Sequence, residues 1–321
     1  MPVRKRSAAM LAAFAGAIVA SRYRRDLHRD RARLRAVERS VLDTAFGRVE
    51  FARSGAGPPV LLVHGVLGGC DFGVGVGGAN VPAGYRVISP SRFGYLGSPL
   101  PADPDSRAQA DAFAVLLDHL EIERLPVVAF SAGSTSAVWL ALRHPDRVSR
   151  LVLISPNAPH PEPLPKPPRM LAPIIFSQPV FWALCLLGPR PLQRLMGTPA
   201  GFVAEDRERA ALQEIMEGLF PVGPRAPGTI FDSYVGNLEI AFCRFESITV
   251  PTLVIHAQDD TLSPYPDSYA MAQRIPGAQF VTVQRGGHAL THLDTGARRA
   301  LERFLSAPPT NPRPQAPPQE H

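Results

Sequence analysis

The chain has 321 residues, 45% of them hydrophobic and 19% charged, enough for one large domain or two small ones with a sizeable core. Its formal charge of +6 is uneven: residues 1–40 hold eleven Lys or Arg against three acids, a net of +8, so residues 41–321 carry −2. The basic balance belongs to a leader. With no aromatic-interleaved basic patch elsewhere, nucleic acid is excluded as a partner of the globular part.

In chain order, residues 1–39 come first. Arg4, Lys5 and Arg6 precede an uncharged, mostly apolar run of fifteen residues, Ser7 to Ser21, and Arg22, Arg24, Arg25, Arg29 and Arg31 follow it. A spanning helix wants about 20 apolar residues, so the run is short. A membrane anchor or surface helix fits best, since dense positive charge after the run impedes export and favours anionic headgroups. That places the rest of the chain on the cytoplasmic side of a membrane. A signal peptide of a secreted protein and a soluble basic helix are the alternatives.

Strands and helices then alternate, the pattern of a mostly parallel sheet covered on both faces. Strands are expected at 59–65, 85–90, 125–130, 149–155, 251–256 and 278–283. Phe113, Leu116, Leu117 and Leu120 mark one helix, a second follows Ser131, and a last one covers 290–305. Residues 157–248 interrupt the alternation with many prolines and helical periodicity near 179–187, 206–219 and 231–245. This segment is expected to form a helical cap over the sheet's C-terminal edge, where ligands bind in such folds. The core is then 40–156 plus 249–306. Residues 307–321 hold six prolines and no apolar period, the composition of a disordered tail. Cys70, Cys185 and Cys243 form no CxxC pair, and all three read as thiols packed as small hydrophobes.

The chemistry concentrates at strand ends. Ser131 stands between the strand "LPVVAF" and a helix, with Ala129 and Gly133 two places either side. Small neighbours let the chains approach closely, and a helix N-terminus offers free N–H groups at the same point. The commoner role for such a serine is a helix N-cap. Ser134 belongs in the first helical turn, directed away from the edge. A serine nucleophile needs a base. His288 follows a strand and a Gly-Gly turn, whereas His292 falls in the next helix, His144 caps the far end of the nucleophile helix, and His119 and His160 have no comparable placement. An orienting acid is available at Asp259 or Asp260, directly after "PTLVIH".

Four stretches, "HGVLGG", "AFSAGS", "HAQDDTLSP" and "RGGHAL", stand in an order and spacing that resemble the α/β-hydrolase fold superfamily over about residues 41–306. The resemblance implies an α/β fold, a mostly parallel sheet with helices on both faces and a helical lid. It also implies a serine hydrolase, esterase- or lipase-like. Aligned on G-x-x-D-x-x-x-P, Asp260 is the acid of a Ser131–Asp260–His288 triad and Asp259 a turn residue. Asn157, after the strand that follows the nucleophile helix, offers no carboxylate. The oxyanion hole would come from the N–H groups of Ala132 and Val66, with Leu67 the second choice for the latter. His64 would brace this loop. Two departures stand out: Ala129 replaces the first elbow glycine, and in "SPSRFGYLGSP" Ser91 stands where relatives carry an acid. Leu67, Phe130, Phe176 and Trp182 are the expected substrate-binding side chains, in an apolar lid that also holds Phe181.

The resemblance implies no metal and no organic cofactor. The expected reaction is hydrolysis of a carboxylic ester through an acyl-enzyme, with a lipid-like ester as one substrate class. C–C bond hydrolysis, perhydrolysis and a non-catalytic ligand-binding role of the same fold remain open.

Overall fold

A computed structural model describes residues 2–75, 77–162, 166–290, 293 and 295–308; His292 and most of the Pro-rich tail lie outside it. The contacts divide the chain into two compact units, residues 1–37 and 38–321. The first is one helix, α1 (Pro2–Ala36). Among the described residues no single helix is long and apolar enough to cross a membrane, so the reading of the leader as a spanning anchor gains no support.

The second unit opens with a hairpin absent from the sequence reading, β1 (Arg39–Thr44) and β2 (Gly47–Ser54), joined through Gly47 at φ 129°. There follow β3 (Pro59–Val63), the short α2 (Cys70–Val74), β4 (Arg86–Pro90), α3 (Ser106–His119), β5 (Leu125–Phe130), α4 (Gly133–Arg143) and β6 (Val148–Ile154). The cap carries α5 (Ala172–Ile175), α6 (Gln178–Leu186), α7 (Pro189–Leu195), α8 (Asp206–Gly218) and α9 (Ala226–Tyr234). After it come β7 (Thr252–Ala257), α10 (Tyr265–Arg274), β8 (Gln279–Val283) and α11 (Thr295–Ser306). The eight strands form one sheet in the order β1-β2-β4-β3-β5-β6-β7-β8. Only β1 with β2 and β2 with β4 pair antiparallel.

Side chains alternate across each strand, and both faces are apolar. Leu61, Val63, Val127, Ala129, Leu151 and Leu153 meet α3 and α4 on one face. Val60, Leu62, Val128, Phe130, Val152 and Ile154 meet α11 on the other. Asp105 caps α3 by accepting the Ala108 N–H at 2.6 Å.

The cap differs from expectation in its last third. A helix read over 231–245 is α9 followed by a tighter helical stretch, Gly236–Phe242. Its apolar residues serve the sheet: Ile240, Cys243, Phe245 and Ile248 join the cluster that contains α3. The cap's own core is Phe181, Leu192, Met216, Leu219, Phe220 and Val222, joined by Leu67 from the loop after β3. Of the cysteines, Cys70 and Cys243 are buried, and burial pushes both thiols up to about 12; Cys185, expected to be packed, is exposed.

Candidate active site

β5 ends in a left-handed residue: Ser131 has φ 50°, a conformation strained for anything but glycine. The strain is held by its N–H, which donates to Ile154 O at 3.1 Å, and by close chain approach. A Cβ on Gly133 would lie 2.5 Å from the His64 carbonyl oxygen, and one on Gly65 would lie 2.9 Å from the Ser131 Cβ. Glycine is therefore required on both sides of the crossing. Ser134 is buried one turn on, its Oγ without a partner among the described residues.

The structure brings Ser131, His288 and Asp260 together from three strand ends. Ser131 Oγ lies 2.7 Å from His288 Nε2, and His288 Nδ1 lies 2.8 Å from Asp260 Oδ2. Asp260 Oδ1 accepts the N–H groups of Leu262 at 2.8 Å and Ser263 at 3.0 Å. Burial raises the Asp260 carboxyl, but the charge and hydrogen bonds of His288 and His256 outweigh it and hold the group well below the ordinary carboxylate value. Asp259 shapes the histidine turn: its Oδ1 accepts Gly286 N–H at 2.9 Å and Gly287 N–H at 2.8 Å.

His256 escaped the sequence reading. It is fully buried on β7, with Nε2 2.8 Å from Asp260 Oδ2 and 3.1 Å from Ser263 O. Its spacing of four from Asp260 was the available signal.

Val66 and Ala132 both line the crevice at Ser131. Of the two residues considered after Gly65, Leu67 has its N–H engaged, donating to Thr229 Oγ1 at 3.2 Å. Leu67 itself has φ 56°. His64 braces this loop as a neutral ring. Its Nε2 accepts Arg92 N–H at 3.0 Å, and its Nδ1 donates to Gly65 O at 2.7 Å. Burial first, and then the Arg92 charge, pushes its pKa well below the ordinary histidine value.

Cap residues complete the frame. Arg225, with no exposed surface, donates to Gly68 O at 2.7 Å and grips Asp71 through two bonds of 3.0 and 2.6 Å. Arg92 makes a bidentate pair with Asp232 on α9, which also accepts Tyr95 Oη–H. Gly197, just past α7, accepts the His288 N–H at 3.2 Å; with φ 79° and a would-be Cβ 2.4 Å from the His288 Cβ, it admits no side chain.

The crevice encloses about 480 Å³. Leu67, Phe176, Phe181, Leu195, Met196 and Leu262 supply its apolar wall, and Asn157, His160, Tyr234, Asn237 and Asp267 its polar part. Two expected lining residues are elsewhere. Phe130 alternates to the opposite face of β5 from Ala129, and its ring packs edge-on against Phe72 at 5.4 Å. Trp182 packs on the cap cluster, while its neighbour Phe181 turns inward. Conversely His160, for which no sequence pattern indicated a place, lines the crevice. Asn157 donates from Nδ2 to Thr135 Oγ1 at 3.1 Å and to Asn237 O at 2.8 Å, tying α4 to the cap.

A family model for the alpha/beta hydrolase fold matches residues 58–184, and one for a TAP-like protein matches 244–316. The chain is 30% identical over 285 residues to the 2-hydroxymuconate semialdehyde hydrolase of Pseudomonas putida, covering 84% of this chain and 94% of that protein. It is 29% identical over 266 residues to the 2-hydroxy-6-oxononadienedioate/2-hydroxy-6-oxononatrienedioate hydrolase of Cupriavidus pinatubonensis, covering 77% and 86%. Among solved structures it superposes on an alpha/beta hydrolase fold protein from Nakamurella multipartita with a TM-score of 0.66 and 27% identity, over 84% of this chain and 99% of the other. The sheet, the cap and these likenesses agree: the chain belongs to the α/β-hydrolase family.

Proposed function

We propose that this chain is a serine hydrolase that cleaves carboxylic esters through an acyl-enzyme on Ser131. The observation that carries the reading is the unbroken relay from Ser131 Oγ through His288 to Asp260, at 2.7 and 2.8 Å, opening on a largely apolar crevice. In this reading His288 Nε2 takes the hydroxyl proton as Oγ attacks the carbonyl carbon. The oxygen that becomes negative accepts the N–H groups of Val66 and Ala132, each worth about 3 kcal/mol in the transition state. His288 then gives its proton to the departing alkoxide, and water repeats the sequence to release the acid. Asp260 keeps Nδ1 of His288 protonated, so that Nε2 has a lone pair for Ser131.

A second reading, hydrolysis of a C–C bond next to a ketone, is favoured by the likeness to the two relatives above. The same nucleophile would serve, with carbon in place of oxygen as the leaving atom and the proton delivered to it. The test uses the full-length protein with p-nitrophenyl butanoate and, separately, 2-hydroxymuconate semialdehyde. Release of p-nitrophenol supports the ester reading. Loss of the semialdehyde absorbance without ester turnover transfers the assignment to C–C cleavage. Failure of a fluorophosphonate to label Ser131 overturns both.

A further inference from the structure

The crevice contains a second histidine–carboxylate pair that the proposed reaction does not use. His160 Nδ1 lies 2.5 Å from Asp267 Oδ2, and both residues line the cavity that holds Ser131 and His288. Their backbones are set independently. His160 stands between Pro159 and Pro161, whose rings fix φ, and Asp267 belongs to the first turn of α10. The Asp267 side chain is 13% exposed and the His160 ring 32% exposed, so the carboxylate is the covered partner and the ring the open one.

A carboxylate on Nδ1 fixes the tautomer. Nε2 is then the ring nitrogen left for a ligand, and among the described residues no protein group engages it. In a crevice whose wall is largely apolar, an oriented imidazole is a hydrogen-bonding point that sorts substrates by a polar group. The charges around it limit what that group can be. Glu162, Asp267 and Lys166 share the cavity wall, and the Lys166 Nζ already sits 5.9 Å over the Tyr234 ring. Glu162 and Asp267 outnumber Lys166 on this wall, so a substrate carboxylate would add charge of the prevailing sign. A hydroxyl donates to Nε2 without adding any.

We propose that His160, oriented by Asp267, is a recognition residue for a hydroxyl group on the substrate, so that the crevice selects hydroxylated acyl compounds over plain alkyl ones. The proposal rests on the reading of this crevice as the substrate site of a serine hydrolase, and it specifies a substrate class for it.

Binding of non-hydrolysable amides to the full-length protein tests the idea without requiring turnover. Hexanamide, its 3-, 4-, 5- and 6-hydroxy isomers and the carboxylate-ended adipamate are titrated by calorimetry. At least one hydroxylated isomer should bind about tenfold more tightly than hexanamide, roughly 1.4 kcal/mol. His160→Phe should remove that difference, and His160→Gln, which keeps a polar group, should retain part of it. The proposal falls if no isomer is preferred, if adipamate binds more tightly than every hydroxy isomer, or if His160→Phe keeps the preference. It also falls if His160→Phe and His160→Gln weaken every amide equally and lower the melting temperature together, since the pair is then a structural staple. Fluorophosphonate labelling of Ser131 is measured on the same samples. Loss of labelling with the hydroxyl preference intact would overturn the hydrolase reading alone.

Discussion

His256 and His288 share one oxygen, each placing a ring nitrogen 2.8 Å from Oδ2 of Asp260. The carboxylate is thus gripped from its own strand as well as from His288. His256 Nδ1 is buried without a partner among the described residues, which leaves Nε2 to carry the proton toward Asp260. His256→Phe keeps a ring and removes the donor. A hydrogen bond to a charged group is worth about 1.5–3 kcal/mol. The expected result is a kcat reduced roughly tenfold with KM little changed, measured by steady-state kinetics on an activated ester. Unchanged kcat would show that His256 only fills space.

Asp260→Asn should cost about 10⁴ in kcat, because an amide cannot hold His288 in the proton-accepting tautomer. Asp259→Asn keeps an acceptor for Gly286 and Gly287 and should be mild. Asp259→Ala removes it and should fall between the two. Kinetics of the three variants give the ranking, and an Asp259→Asn as damaging as Asp260→Asn would reassign the acid.

Ser131→Ala should abolish both turnover and fluorophosphonate labelling. Ser134→Ala should leave turnover intact and stabilise the fold slightly, because it removes a buried hydroxyl without a partner. Thermal denaturation and labelling stoichiometry read the pair side by side.

Much of this site was legible because strand ends and punctuating residues announce themselves. Ser131, Asp260 and His288 each follow an apolar run, and two of the three sit beside a glycine or an acid turn. Residues whose role depends on which way a strand or helix face points were not legible. Phe130 adjoins Ser131 in sequence, yet the period of two sends its ring to the other face of the sheet. Trp182 and Phe181 are neighbours on one helix, and only packing decides which looks inward. His160 came to the crevice through α10, an element more than a hundred residues away. The hairpin of β1 and β2 is not legible in the sequence, because its mixed polar and apolar residues lack a continuous apolar run.

His64 supplies a pH prediction. Its native pKa lies well below the unfolded value of about 6.5. The unfolded chain therefore binds a proton first as pH falls. The contribution is fully present above about pH 6.5 and is lost progressively below it, by at most about 1.4 kcal/mol per pH unit from this group. Denaturant unfolding between pH 7.5 and 5 should show a shallower pH slope for His64→Asn than for the wild type. Equal slopes would mean that His64 does not carry the effect.

Arg225→Met should destabilise by roughly 3–5 kcal/mol, because it strands Asp71 beside a buried site. Arg225→Met with Asp71→Leu should recover part of that loss. Thr229→Val, which strips the acceptor from Leu67 N–H and the donor from Arg225 O, should lower kcat more than it lowers the melting temperature. Equal effects on both would make Thr229 a simple packing residue.

The grip of Arg225 and Thr229 on Gly68, Asp71 and Leu67 also bears on how this architecture can diversify. The segment that shapes the crevice and the loop that would cradle the reacting oxygen are not separate modules. A graft of another relative's residues 157–234 onto this sheet would import a new pocket and at the same time cut the supports of the Gly65–Asp71 loop. Specificity can drift freely only at positions such as Phe176 or Leu195, which face the cavity and carry no part of that scaffold.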